Sequence, residues 1–184
     1  LDFTHVSQIP VAQYAWLIPL GIVAGLIGAL MNRILLGFQT LYSKIPAVVR
    51  PMIALAAALP CGLLLPLSLG GGSEAIKFAE TARGTLAILC ILLAVRILFT
   101  GISYSSGVPG GIFMPILAAG ALSGSVFAHA MVSAGVLAPE RTAAFTVLAM
   151  AGTLTAAVKA PITSILLVVE MSGSLVHMFP VAAV

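Results

Sequence analysis

The chain has 184 residues, 61% of them hydrophobic and 7% charged, with a mean hydropathy of +1.21 and a net charge of +3. Soluble domains carry about 25% charged residues, so a water-facing surface is excluded and a bilayer, whose core accepts apolar side chains, is the surrounding that fits. The basic residues form no run, which argues against nucleic acid as a partner. Cys61 and Cys90 lie far apart in apolar stretches with no CxxC or Cys/His spacing, and read as small hydrophobes with no metal role.

Residues 1–10 contain Asp2 and His5 and lack the basic n-region of a secretory signal. Without an initial Met, and with Val184 inside an apolar run, the chain reads as part of a longer protein. From Val11 to Ser43 the sequence is apolar except for Arg33. A continuous helix there would be about 50 Å long, so it must tilt, bend or protrude. Gly21-x-x-x-Gly25, like Gly120-x-x-x-Gly124 further on, fits the small-xxx-small pattern of close helix contacts in lipid.

Lys44, Pro46, Arg50 and Pro51 form a polar connection, basic and without acid, which the positive-inside rule places on the cytoplasmic side. A second span is predicted over 52–69, bent at Pro60 and Pro66. Gly70-Gly71-Gly72-Ser73 reads as a turn, followed by a short charged interfacial helix over 74–83 with Ser73 as N-cap and Glu74 in its first turn. Another span covers 85–104 and carries Arg96, read first as a structural charge.

Ser105-Ser106-Gly107-Val108-Pro109-Gly110-Gly111 is not regular helix. Helix resumes at Ile112 and runs to about Ala134, interrupted by His129, which reads as a satisfied or interfacial histidine. After a break at 135–140, segments over 142–157 and from Pro161 to Ser172-Gly173 follow. Each is too short to span alone, and together they read as two half-helices. Lys159 and Glu170 read as capping or paired charges. Broken helices in lipid must be buried in protein or line a water-filled cavity, and transporters build ion sites on such breaks.

The sharpest motif is Gly110-Gly111-Ile112-Phe113-Met114-Pro115. Between Arg96 and Glu140 there is no Lys, Arg, Asp or Glu, yet a helix begins inside that interval. Its first N–H groups lack intrahelical acceptors. Gly110 and Gly111 leave the approach free of side chains, and Pro115 sits where a missing N–H costs little. Bare amides plus about half a positive charge from the helix dipole form an anion site. Such partial charges hold an ion moderately, which suits a site that must also release it.

Residues Ser106 to Pro115 resemble the GxFxP-containing signature of the CLC chloride channel and proton–chloride exchanger family. Gly70-Gly71-Gly72, Ala151-Gly152, Lys159-Ala160-Pro161-Ile162-Thr163 and Val168-Val169-Glu170-Met171 resemble further stretches of that family, in order. The resemblance covers nearly the whole chain. It implies an all-α integral membrane fold, a bundle of tilted and half-spanning helices. Residues 1–184 would form one inverted-repeat half of a CLC-type domain, about helices J to Q.

By the same resemblance the backbone amides of Ile112 and Phe113 hold chloride, the transported substrate, and Gly110, Gly111, Met114 and Pro115 shape the helix start. No cofactor or metal is implied. The partners are the bilayer and a second copy in a homodimer, in the cell membrane. The gating and proton-passing glutamates and the coordinating serine and tyrosine are expected outside this chain; Tyr104 is not that tyrosine. Channel and antiporter therefore both stay open, as does another anion such as fluoride or nitrate. A non-transporting membrane subunit fits less well, because it has no use for bare amides. An intramembrane enzyme lacks the acid, base or metal constellation it needs.

Overall fold

The structure, a computed structural model, describes residues 15–81, 84–108 and 110–172. Asp2, His5, Val11, Arg83, Pro109, Gly173 and His177, which figure in the sequence reading, lie outside the described residues. The described chain is helical throughout: α1 (Leu17–Tyr42), α2 (Arg50–Leu64), a 3-10 turn (Pro66–Ser68), α3 (Ser73–Glu80), α4 (Leu86–Ser105), α5 (Phe113–Ser133), a second 3-10 turn (Pro139–Arg141), α6 (Thr142–Val158) and α7 (Pro161–Ser172).

Among the described residues four stretches are long and apolar enough to cross a membrane: Leu17–Tyr42, Leu86–Ser105, Phe113–Ser133 and Pro139–Val158. The last corrects the sequence reading of two half-helices. The 3-10 turn at Pro139–Arg141 runs straight into α6, and the pair is 20 residues long. The helix α7, with 12 residues, remains too short to cross alone.

Two further boundaries differ from expectation. The second span stops at Leu64 and not at 69, because Pro66 opens a 3-10 turn after Leu65 leaves helical geometry at φ −141°. Arg50 and Pro51 belong to the first turn of α2, where a proline costs no hydrogen bond. Ser73 is the first helical residue of α3 and not its cap; Gly72, at φ +104°, occupies the cap position and no side chain bonds the free amides there. Glu74 does lie in that first turn, paired with Lys77 at 3.5 Å.

The core is the seam between α5 and α6. On α5 the residues Ile116 to Ser125 are all buried, and on α6 the residues Ala144 to Ala151 are buried as well. Small residues make this approach possible. A β-carbon on Gly120 would meet the Met150 Cα at 2.8 Å, and one on Gly124 would meet the Ala149 Cβ at 2.6 Å and the Phe145 carbonyl at 2.8 Å. Residue 120 thus faces 150 and 124 faces 145–149, so the helices are antiparallel. The start of α5 lies beside the end of α6.

The helix α1 crosses α6 at Gly28, whose added β-carbon would fall 2.7 Å from the Ala156 Cβ and the Thr153 carbonyl. One turn further along, Asn32 Nδ2 donates to the Ala157 carbonyl at 2.8 Å and satisfies an acceptor at the open end of α6. Of the two small-xxx-small patterns, Gly120/Gly124 marks a contact. A β-carbon on Gly25 would meet nothing within 4 Å, so Gly25 itself marks no close contact.

Outside this core the helices present apolar side chains outward. Ile18, Ile22 and Leu26 of α1 and Met52, Leu55, Leu59 and Leu63 of α2 are all more than half exposed, and α2 buries no residue. In water these surfaces would be destabilising; against lipid or further apolar protein they are favourable.

Gly124→Val should therefore be destabilising by about 1–3 kcal/mol or prevent assembly, since overpacked cores lose that much. Gly25→Val should be nearly neutral. Thermal unfolding of both variants in detergent checks the contrast.

Glu80, at the end of α3, has its carboxyl pushed up from an ordinary 4.5 to about 7 by burial. The folded state then holds the proton more tightly than the unfolded chain. Its contribution to stability is fully present below pH 4.5 and is lost as pH rises through about 7. Glu80→Gln should unfold like the parent at pH 4 and be more stable at pH 8, by up to roughly 2 kcal/mol once solvent screening of the half-exposed carboxyl is allowed for, read from the two melting temperatures across that range.

Candidate functional site

The helix α5 begins as the glycine pair demanded. Ile112 is the N-cap, with φ −93° and ψ −18°, and no side chain bonds the free amides. The first backbone bond of the helix runs from the Ile116 N–H to the Ile112 carbonyl at 3.1 Å. Among the described residues, the N–H groups of Ile112, Phe113 and Met114 find no acceptor. Pro115, at the next position, has no N–H to satisfy. The first helical residue is Phe113 and not Ile112, because Ile112 flanks the helix and only its carbonyl joins the ladder.

The residues that carry these amides border an open space. A β-carbon on Gly111 would meet nothing within 4 Å, and one on Gly110 would reach only the Val108 carbonyl, at 4.0 Å. The two glycines keep a cavity free; they do not serve close packing. That cavity has a volume of about 420 Å³. The whole motif from Gly110 to Pro115 lines it, together with Gly70 and Gly71 and one face of α4 that includes Arg96, Thr100 and Tyr104. Among the described residues that line it there is no Asp or Glu. Among the described lining residues the charged group is the Arg96 guanidinium, and the helix start adds the positive end of its dipole.

Gly70–Gly71 and Gly110–Pro115, 40 residues apart in sequence, are brought together by α4. The sequence reading took the first stretch as a turn and as a family resemblance, and gave it no place at the site. Arg96 was read as structural, and the structure places it in the cavity wall. It is 1% exposed, with Nη1 donating to the Ser68 carbonyl at 2.8 Å and the Leu69 carbonyl at 3.2 Å. Its Nε and Nη2 have no acceptor. A lone cation in an apolar span was the signal that could have found it. Gly72 belongs to the same cluster, since a β-carbon there would lie 2.7 Å from both Arg96 Nη2 and the Ala118 Cβ.

Other singled-out residues stay away from the cavity. His129 Nδ1 donates to the Ser125 carbonyl one turn back at 2.8 Å, in line with a satisfied helix histidine. Lys159, exposed and at φ +58°, ends α6 through its own N–H to the Thr155 carbonyl at 2.8 Å. Glu170 is exposed on α7. No group of three His, Cys, Asp or Glu among the described residues could hold a metal ion.

A helix start with free amides beside a glycine-lined cavity, in a bundle of membrane-length helices, is the arrangement the sequence motif implied. The family model described as "Voltage gated chloride channel" matches residues 1–184. The chain belongs to that family. It is 36% identical over 180 residues to a protein of Cronobacter sakazakii (strain ATCC BAA-894) named "H(+)/Cl(-) exchange transporter ClcA", covering 95% of this chain and 38% of that one. Its fold matches the crystal structure of "a slow cyanobacterial Cl-/H+ antiporter" with a TM-score of 0.85 and 28% identity, over 100% of this chain and 44% of that one.

The chain thus spans about two fifths of the length of the relatives it matches. Membership in this family and the four apolar spans make it an integral, multi-pass membrane protein.

Gly72→Ala should be destabilising by more than about 1 kcal/mol, since it places a side chain at positive φ against a guanidinium. Ser73→Ala should be almost neutral, since Ser73 caps nothing. Thermal unfolding of the pair separates a left-handed glycine cap from the serine cap first expected.

Proposed function

We propose that this chain forms part of a chloride pathway and supplies the α5 amides that hold the ion. The observation that carries the reading is the set of N–H groups at Ile112 and Phe113 that find no acceptor among the described residues, on residues bordering a cavity whose described lining holds no carboxylate. Gly110 and Gly111 keep the approach clear, while Met114 and Pro115 complete the first turn. An anion in contact with these amides gains hydrogen bonds and the helix dipole without a permanent countercharge of its own, so it is bound and still released.

Movement coupled to protons is favoured over a simple channel, because both relatives described above are named as proton–chloride exchangers. The protein works as a transporter and needs no acid–base or metal chemistry on a substrate, and so no resident cofactor. Its setting is the cell membrane, as a homodimer in which each subunit carries its own pathway.

The test is removal of one amide with the side chain kept. An ester in place of the Phe113 peptide bond deletes a single N–H donor. Hydrogen bonds to a charged partner contribute about 1.5–3 kcal/mol, so chloride affinity, measured by isothermal titration, should fall by roughly tenfold to a hundredfold. Ile112→Val, which keeps every amide, should change it little. An ester variant that binds chloride as tightly as its parent would remove Phe113 from the site. Titration with fluoride and nitrate alongside chloride fixes the anion.

A further inference from the structure

Arg96 presents an unsolved electrostatic problem. A guanidinium that is 1% exposed, inside an apolar span, keeps its charge and must be compensated. Two backbone carbonyls, of Ser68 and Leu69, take up Nη1 alone, and Nε and Nη2 have no acceptor. Carbonyl dipoles do not neutralise a full charge. Among the described residues no carboxylate pairs with it; the ion pair that forms is Lys77–Glu74, on α3. What Arg96 does border is the cavity at the start of α5.

We propose that the anion held at the α5 amides is the countercharge of Arg96, so that anion occupancy and the stability of this buried arginine are coupled. The inference rests on the reading of that cavity as an anion site and adds a residue to it. The carbonyl clamp at Ser68 and Leu69 holds the guanidinium at the wall and fixes its position. Gly72 leaves the room it occupies, since any β-carbon there would collide with Nη2. The long-range attraction of a full charge in a poorly screened wall adds to the short-range hydrogen bonds of the amides. Empty, the cavity leaves Arg96 as an uncompensated buried charge; filled, it does not. Inorganic chloride fits this role, and any monovalent anion small enough to reach the amides shares its chemistry.

The coupling predicts a reversal that a purely structural arginine would not show. Melting temperatures of the purified protein are measured in chloride and in gluconate, an anion too bulky for the amides, at equal ionic strength. The parent should be stabilised by chloride. Arg96→Met should lose most of that response, with chloride affinity by titration weaker by about tenfold or more. In gluconate Arg96→Met should be at least as stable as the parent, because the uncompensated charge is gone. Arg96→Lys keeps a charge while loosening the clamp, and should retain the chloride response.

Equal destabilisation of Arg96→Met in both salts, with chloride affinity unchanged, would overturn the inference and leave Arg96 as a clamp on the turn. If Arg96→Met does not fold, Arg96→Gln, which keeps an N–H donor for the carbonyl clamp without the charge, decides: a lost response supports the coupling and a retained one overturns it. The Phe113 ester separates the two readings. If the ester abolishes the chloride response and Arg96→Met does not, the amide site stands and the arginine's part in it falls. If neither variant alters the response, both fall.

Discussion

In a bilayer every backbone N–H and C=O must find a partner inside the protein, and the turn between α4 and α5 leaves that requirement unmet. Three consecutive N–H groups, at Ile112, Phe113 and Met114, have no acceptor among the described residues. Unpaired donors in a dry interior cost several kcal/mol. They are tolerable only where something else accepts, and the neighbouring cavity supplies the place for it. Much of the fold can be understood as the means of keeping that cavity open and that helix start rigid.

Rigidity comes from the glycine seam. The helix α5 is held against α6 at Gly120 and Gly124 with backbone nearly touching backbone. From Ile116 to Ser125 it has no exposed residue to loosen. The amides at its head therefore move with the core of the molecule. The end of α6, beside the start of α5, is fastened in turn by Asn32 from α1. Openness comes from the opposite use of glycine. A β-carbon on Gly111 would meet nothing within 4 Å and one on Gly110 only the Val108 carbonyl at 4.0 Å, and both glycines line the cavity. The same residue type thus closes one surface and opens another, a few residues apart.

The wall facing the motif depends on long-range contacts. Gly70 and Gly71 reach the cavity because Leu65 breaks the helix and Pro66 turns the chain, while Arg96 pins the Ser68 and Leu69 carbonyls to α4. A break in α2 that looks like a packing accommodation thereby shapes one side of the site. Arg96 joins the two roles, as the fastening of the turn and as a charged residue in the cavity wall. The family relationship places this arrangement among chloride channels and exchangers, and the chain holds about two fifths of the length of such relatives.

The amino-acid sequence by itself determined the membrane setting, the helical class and the helix start at Gly110–Pro115. Each of these is a local or compositional property. Few charges mean lipid, Gly-Gly and Pro punctuate helices wherever they occur, and a helix N-terminus carries free amides regardless of its neighbours. The family resemblance was legible for the same reason, as short motifs in order. What the sequence misjudged depends on neighbours. Ser73 looked like a cap, but Gly72 takes that place because its positive φ and the crowding of Arg96 and Ala118 leave no alternative. The segment over 142–157 looked too short to cross, and only a continuous 3-10 turn lengthens it. Gly21/Gly25 and Gly120/Gly124 are the same pattern in sequence, yet a partner helix lies against the second and none against Gly25. Arg96, read as a structural charge, is also part of the cavity wall, where Ser68 and Leu69 fold back onto α4 from 28 and 27 residues away. Which side chains share a space is decided by packing at long sequence separation, and only the tertiary structure carries that information.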